Sequence, residues 1–457
     1  MKTYKFRALL QQTGWVENAA VTVDNEGKIV GISTNDIPHD ELVDGFALPG
    51  FQNAHSHAFQ YAMAGLAEKH PYANKSDDFW SWREAMYQLA LTMDPEDIEA
   101  VATMLYSEMV RHGYTEVAEF HYLHHDKDGR AYKNVAEHGI RLMSAANTAG
   151  IKLTLVPMFY QRGGFGIDPQ PRQKRFISSS LEEYLHLLES TQAASNAYSG
   201  VSVAYGIHSL RAVDPHVIKT AVSGISSDLP FHIHIAEQLK EIEDCKAFLG
   251  ARPVEWLLES MPVGENYHLV HATHLTEAEV QGIAKSGAHV VLCPSTEGNL
   301  GDGIFPLKSF QQYGGKWSIG TDSHVGLNPL EELRILDYGQ RLISHQRNTF
   351  VDQQEHDSGT YAIRQSLHSG RRAMGNQQIE YFEIGGYLDA VVYDPSAPIL
   401  STTSLDNMLS TIVYSTDQTM VKGTLVNGRW IVQNNRHYAS EQIGRVYSDT
   451  INKLKIR

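Results

Sequence analysis

Four short segments of this chain carry imidazoles and carboxylates at spacings that suit a shared cation. In the first, "NAHSH", His55 and His57 are separated by one residue. Alternate side chains of a strand share a face, so both rings project to one side while Ser56 projects to the other. Alone, such a pair reads more simply as two hydrogen-bonded strand histidines. Three further segments change that reading: "FHIHIAEQ" with His232, His234 and Glu237; "HLVHATH" with His268, His271 and His274; and "SIGTDSH" with Asp322 and His324. His232 and His268 read as wall or core residues, and His274 and His324 as loop or supporting groups. Nitrogen and carboxylate donors from four strand ends meeting in one place describe a divalent metal site. Such a cation, with room for water, lowers the pKa of that water towards neutral and makes a hydroxide nucleophile available.

These donors need a scaffold that brings distant segments to one face. From "LPGFQNAHSH" onward, short apolar runs alternate with longer helical patterns, the signature of repeated βα units. The candidate strands end near His57, His121, Phe159, His208, Ala236, His271, Ser295 and Asp322. Eight such units predict an α/β architecture, a (β/α)8 TIM barrel over residues 50–376, whose strand ends converge at the face where such sites form. One intervening helix is plain in "DPEDIEAVATMLYSEMVRHG": Asp94 caps it, Pro95 occupies its first turn, Gly113 ends it, and Ile98, Val101, Leu105 and Met109 share a face. Residues 1–49 read as short strands, with a turn at Asn25-Glu26-Gly27. Residues 377–457 return to strands, with Asn427-Gly428 as a hairpin turn. The simplest arrangement joins the two ends of the chain into one small discontinuous β-sandwich domain.

Composition narrows the partners. With 53 acidic and 38 basic residues among 457, the formal charge of −15 argues against a nucleic-acid binder that relies on a broad positive surface. An anionic substrate therefore needs local cations. Cys245 and Cys293 are the two cysteines, in no CxxC pattern, so neither a disulfide framework nor a thiolate zinc site is expected, and a reducing cytoplasm fits. The only apolar run near the N-terminus, Ala8 to Leu10, is too short for a signal-peptide core, and no later stretch approaches a membrane span.

The order of HxH after "LPGF", then "HIHIAE", "LVHATH" and "GTDSH", resembles the amidohydrolase superfamily over the whole barrel. That resemblance implies His55, His57, His234 and Asp322 as metal ligands, with Glu237, His271 and Asp322 moving protons. Members with two metals usually bridge them with a carboxylated lysine from the fourth strand; here "VSVAYGIHSLRAV" has no lysine. One ion is expected, Zn²⁺ first and Fe²⁺ still open, because nitrogen and oxygen ligands do not identify the metal. Zinc chemistry of the cytidine-deaminase kind needs a PCxxC segment, and "LCPSTEG" offers one cysteine.

Further segments, "DDFWSWREAMY", "VAEFHYLHHD", "GIHSLRAV" and "STEGNLGDGIFP", resemble the branch of that superfamily that hydrolyses N-formimino-L-glutamate to N-formyl-L-glutamate and ammonia in histidine degradation. The resemblance implies that Gln60, Arg83, Tyr122, His208 and Arg211 contact the substrate, and that the enzyme is a homodimer. The chemistry agrees, since a substrate with two carboxylates and an amidine needs guanidinium groups at one end and a nucleophile at the other. Phe79, Trp80 and Trp82 read as a packed loop or lid. "GNLGDG" lacks the lysine-serine or lysine-threonine ending of a phosphate loop and is assigned to the rim of the site. Two alternatives stay open: a deaminase of a heterocycle such as guanine on the same scaffold, and a non-catalytic assembly protein that kept the barrel.

Overall fold

Near-continuous apolar runs such as "FHIHI", "YHLVH" and "HVVL" bury both faces, as strands enclosed by helices must. The computed structural model describes residues 1–68, 79–378 and 380–456. Asp77, Asp78 and the side chain of Trp80 lie outside the described residues. Eight parallel strands follow in order: β1 (Phe51–Ser56), β2 (Tyr114–His121), β3 (Lys152–Phe159), β4 (Tyr205–Ser209), β5 (Phe231–Ile235), β6 (Tyr267–His271), β7 (His289–Leu292) and β8 (Lys316–Ile319). A short strand, Val201–Val203, precedes β4 and also pairs with β3. The strand ends fall within three residues of those read from the sequence.

The ring closes between its first and last strands. Ser56 and Asp322 form a parallel bridge, His55 O accepts from the backbone N–H of Thr321 (3.1 Å) and Asp322 (3.0 Å), and the N–H of His57 donates to Asp322 O at 3.2 Å. The closure therefore runs through candidate site residues. It also explains Gly320, where a Cβ would lie 2.7 Å from His55 Cβ and 2.9 Å from its backbone nitrogen. No side chain fits there without displacing His55.

Between β1 and β2 the helix Pro95–Arg111 forms as its pattern requires. Ile98, Val101, Leu105 and Met109 are all buried, and the Asp97 carboxylate accepts from the N–H of Asp94 at 2.9 Å. The chain ends meet in a second sheet. Five strands between residues 2 and 49 and four between 390 and 437 form one sheet; eight lie on a single hydrogen-bonded path, and Gly14–Glu17 pairs off it with Lys2–Gln11. Its seam is Glu41–Pro49, antiparallel to Ala390–Tyr393. The two expected turns abut here: Gly27, at φ +86°, lets the first turn approach the second, because a Cβ on it would stand 1.9 Å from Asn427 O.

Helices within the C-terminal segment went unread in the sequence, Leu405–Ser415 and Ser440–Leu454 among them. Helix Ser440–Leu454 closes the chain, returning to pack on Pro95–Arg111, with Lys453 Nζ 2.8 Å from Asp97 Oδ1. Among the described residues no helix is long and apolar enough to cross a membrane.

Candidate active site

At the C-terminal ends of the barrel strands, β1 contributes His55, the residue after it is His57, β5 contributes His234, and the turn after β8 contributes Asp322. His55 Nε2 lies 3.2 Å from His57 Nε2 and 3.1 Å from His234 Nε2, and Asp322 Oδ1 lies 3.3 Å from Nε2 of both His55 and His57. One ligand atom from each of the four falls within 4.8 Å of every other. Ligands at the usual zinc distances around a tetrahedral ion are separated by about 3.3 to 3.4 Å, so the spacing fits one cation. Neutral rings facing one another suit the same purpose, because each offers a lone pair. Burial holds His55 neutral down to about 3 and lowers His57 and His234 as well. Burial alone would raise Asp322, but the hydrogen bond from His55 and the nearby imidazoles hold it well below the usual carboxylate range.

The surroundings fix these rings. His57 Nδ1 donates to Phe120 O at 2.8 Å, which leaves Nε2 as the ligand atom. Behind β1, Glu119 accepts from Ser56 Oγ and from the N–H of Ala58, both at 2.6 Å, clamping the chain on either side of His57. Asn53 and Thr321 bond side chain to side chain at 2.7 Å, and Thr321 Oγ1 also meets His324 Nδ1 at 2.9 Å. His324 is thus a supporting group. The backbone is left-handed at Ala236 (φ +53°), His271 (+68°), Ala272 (+50°) and Asp322 (+45°). For residues with a Cβ this costs about 1 kcal/mol each, and here it is concentrated where site residues leave their strands.

His271, at the end of β6, stands among carboxylates. Its Nδ1 is 3.2 Å from Glu297 Oε1, while its Nε2 faces Glu237 Oε1 at 3.8 Å and Asp322 Oδ2 at 3.9 Å. Burial opposes the charged ring, yet Glu237, Glu297 and Asp322 outweigh it and push His271 up to about 10. Burial raises Glu237 despite His271 and Arg211 beside it. These groups can take up and release protons within about one side-chain width of the candidate cation.

One cavity opens onto this centre, and its lining includes Gln60, Arg83, Tyr122, His208 and Arg211 together with His57, His234, Glu237, His271 and Asp322. Gln60 Nε2 donates to Tyr122 Oη at 2.9 Å, and its Oε1 is buried without a hydrogen-bond partner among the described residues. Arg83 donates to Tyr160 Oη at 3.3 Å and lies 5.1 Å above the Tyr87 ring. Arg211 Nε reaches Ser209 Oγ at 3.4 Å; its Nη1 is buried and likewise without such a partner among the described residues. Burial, followed by the charges of Arg211 and Arg83, keeps His208 neutral.

The remaining histidines lie apart from the ligand cluster. His232 bonds Ala373 O at 3.0 Å and stacks on His268 in the barrel wall, and His274 is a half-buried loop residue. Phe79 and Trp82 belong to the helix Phe79–Ala90 rather than to a loop, and both line the cavity. Leu300, from "GNLGDG", lines it as well. Three residues around the site were not singled out from the sequence: Glu119, Glu297 and Tyr160. The first two sit inside segments whose resemblance was noted, and that was their only signal. A wider groove lined by His124, His125, Lys174 and His186 gathers no group of candidate metal ligands among the described residues.

Comparison with known proteins bears on this geometry. The model of the amidohydrolase family matches residues 46–431. The chain is 44% identical to a formimidoylglutamate deiminase of Pseudomonas aeruginosa over 98% of both proteins. It is 26% identical to a 5-methylthioadenosine/S-adenosylhomocysteine deaminase of Halobacterium salinarum, covering 93% of this chain and 91% of that one. Among solved structures, an amidohydrolase from Brucella melitensis superposes with a TM-score of 0.93 at 38% identity, covering all of both chains.

Proposed function

The chain belongs to the amidohydrolase family, and from that premise we infer that it hydrolyses an amidine carbon–nitrogen bond, converting N-formimino-L-glutamate and water to N-formyl-L-glutamate and ammonia. The observation that carries this reading is the lining of one cavity. Arg83 and Arg211 line the same cavity as Glu237, His271 and Asp322, so guanidinium groups suited to two carboxylates share it with groups suited to handling protons. The 44% identity to a formimidoylglutamate deiminase supports the same substrate. A neutral heterocycle such as guanine offers no carboxylate for either guanidinium group to bind.

His55, His57, His234 and Asp322 would hold one divalent ion, with Zn²⁺ favoured by three imidazoles and a carboxylate and Fe²⁺ as the alternative. When bound, it would lower the pKa of water and polarise the formimino group. The side chains do the rest. Arg83 and Arg211 grip the two carboxylates, and Gln60, Tyr122 and His208 orient the formimino end. Glu237 gives a proton to the imino nitrogen as the carbon is attacked, and the second proton of the water, released from the hydroxyl of the adduct as the carbonyl forms, returns to the same nitrogen so that it leaves as ammonia. Asp322 receives the first proton of the attacking water, and His271, already carrying a ring proton, relays one onward. Because His271 Nε2 faces both Asp322 (3.9 Å) and Glu237 (3.8 Å), that proton has a short path back to Glu237 for the next turnover. The same reading places the enzyme in histidine degradation, in the cytoplasm and as a homodimer.

The test is product identification. Metal-loaded protein incubated with N-formimino-L-glutamate should yield N-formyl-L-glutamate and ammonia in equal amounts by NMR; formation of formamide and free glutamate instead would mean that a different bond is cut.

A further inference from the structure

The two oxygens of Asp322 face different donor sets. Oδ1 is 3.3 Å from Nε2 of His55 and His57, whereas Oδ2 is 3.9 Å from His271 Nε2. Cys293, the residue after β7, completes a second cluster: one ligand atom each from His271, Cys293 and Asp322 lies within 4.8 Å of the others, and all three residues are buried. We propose that His271, Cys293 and Asp322 form a second, weaker cation site that takes up thiophilic divalent ions such as Cd²⁺ or excess Zn²⁺ and inhibits the enzyme when filled.

A buried cysteine is ordinarily a small hydrophobe. Cys293 belongs to a small buried cluster with Ala54, Val270, Val291 and Ala373, as that role requires. Its sulfur also lies within 4.8 Å of a ring nitrogen of His271 and a carboxylate oxygen of Asp322, a setting that an inert thiol does not need. Glu297 occupies His271 Nδ1 at 3.2 Å, so Nε2 is the nitrogen offered to the cluster. The donor set differs from that of the first site by its thiolate, which selects softer ions. With three protein ligands against four, and with the Cys293 thiol and the His271 ring each giving up a proton to solvent when a cation is taken up, the site is the weaker of the two. Filling it takes His271 Nε2 and one Asp322 oxygen out of proton transfer.

This inference rests on the reading that Asp322 also serves the first ion and that His271 moves protons. The experiment starts from protein carrying one equivalent of Zn²⁺ and adds Cd²⁺, following ammonia release and the ultraviolet thiolate-to-Cd²⁺ charge-transfer band together. The expected result is a band that saturates with one further equivalent while activity falls in step. In Cys293→Ala the band should vanish and the inhibition midpoint rise about tenfold or more, while Cys245→Ala keeps both effects. Cys293→Val, closer to the original side-chain volume, serves the same purpose should the alanine variant fail to fold. A band lost in Cys245→Ala but kept in Cys293→Ala, or inhibition unchanged by loss of Cys293, would overturn the proposal. No ammonia release at one equivalent would count against the deiminase reading instead, leaving the charge-transfer band to decide the cation site separately.

Discussion

Glu297 Oε1 lies 3.2 Å from His271 Nδ1, with the opposite nitrogen of the ring facing Glu237. The carboxylate also accepts from the N–H of Cys293 at 2.9 Å, so it is held in place by the start of the helix Pro294–Leu300 that carries it. It fixes which ring nitrogen faces the reaction. Glu297→Gln should lower kcat by about 10- to 100-fold with KM little changed, and should shift the basic limb of the pH profile. An unchanged pH profile would reduce Glu297 to a packing role.

The two arginines that line the cavity should govern substrate binding. Arg83→Ala and Arg211→Ala should each cost about 1.5 to 3 kcal/mol in kcat/KM, expressed mainly as a higher KM. Lysine at either position should restore activity only in part, because it lacks the planar fork that grips a carboxylate. Steady-state kinetics with N-formimino-L-glutamate decides the point; a fall in kcat alone at constant KM would speak against carboxylate binding.

Gly320 links barrel closure to the candidate metal ligands. With a Cβ placed 2.7 Å from that of His55, Gly320→Ala must push β1 or β8 aside. The expected loss is about 1 to 3 kcal/mol of stability, accompanied by weaker metal retention. Denaturant unfolding and metal analysis after dialysis measure the two effects, and a variant that keeps its metal as tightly as the parent would show that His55 can move without harm.

Metal-free protein should lose stability at both ends of the pH range. His271 is pushed up from 6.5 to about 10, so its contribution is complete below 6.5 and fades as pH rises through 10. His55 is depressed from 6.5 to about 3, so its contribution is complete above 6.5 and fades as pH falls towards 3. Unfolding of the apoprotein across this range, beside His271→Asn, checks the alkaline arm. That arm should flatten in the variant, and an identical slope would mean that other groups set it.

Much of this was legible because it is local. Strand alternation placed His55 and His57 on one face, and the spacing of strand ends brought His234, His271 and Asp322 to the same mouth. The pairing of His271 with Glu297 was not legible, because it joins the end of β6 to a helix after β7, and nothing in "STEG" signals a partner. Tyr160 beside Arg83 was missed for the same reason. The C-terminal helix did carry a signal, with Ile443, Tyr447, Ile451 and Leu454 at helical spacing, but the preceding hairpin pattern drew the reading towards strands.

The most direct measurement is ammonia release by the metal-loaded protein from N-formimino-L-glutamate, N-formimino-L-aspartate and guanine under one set of conditions. The expected result is rapid release from the glutamate derivative, slower release from the shorter aspartate derivative and none from guanine. Release from guanine, with none from either formimino acid, would contradict the proposed function.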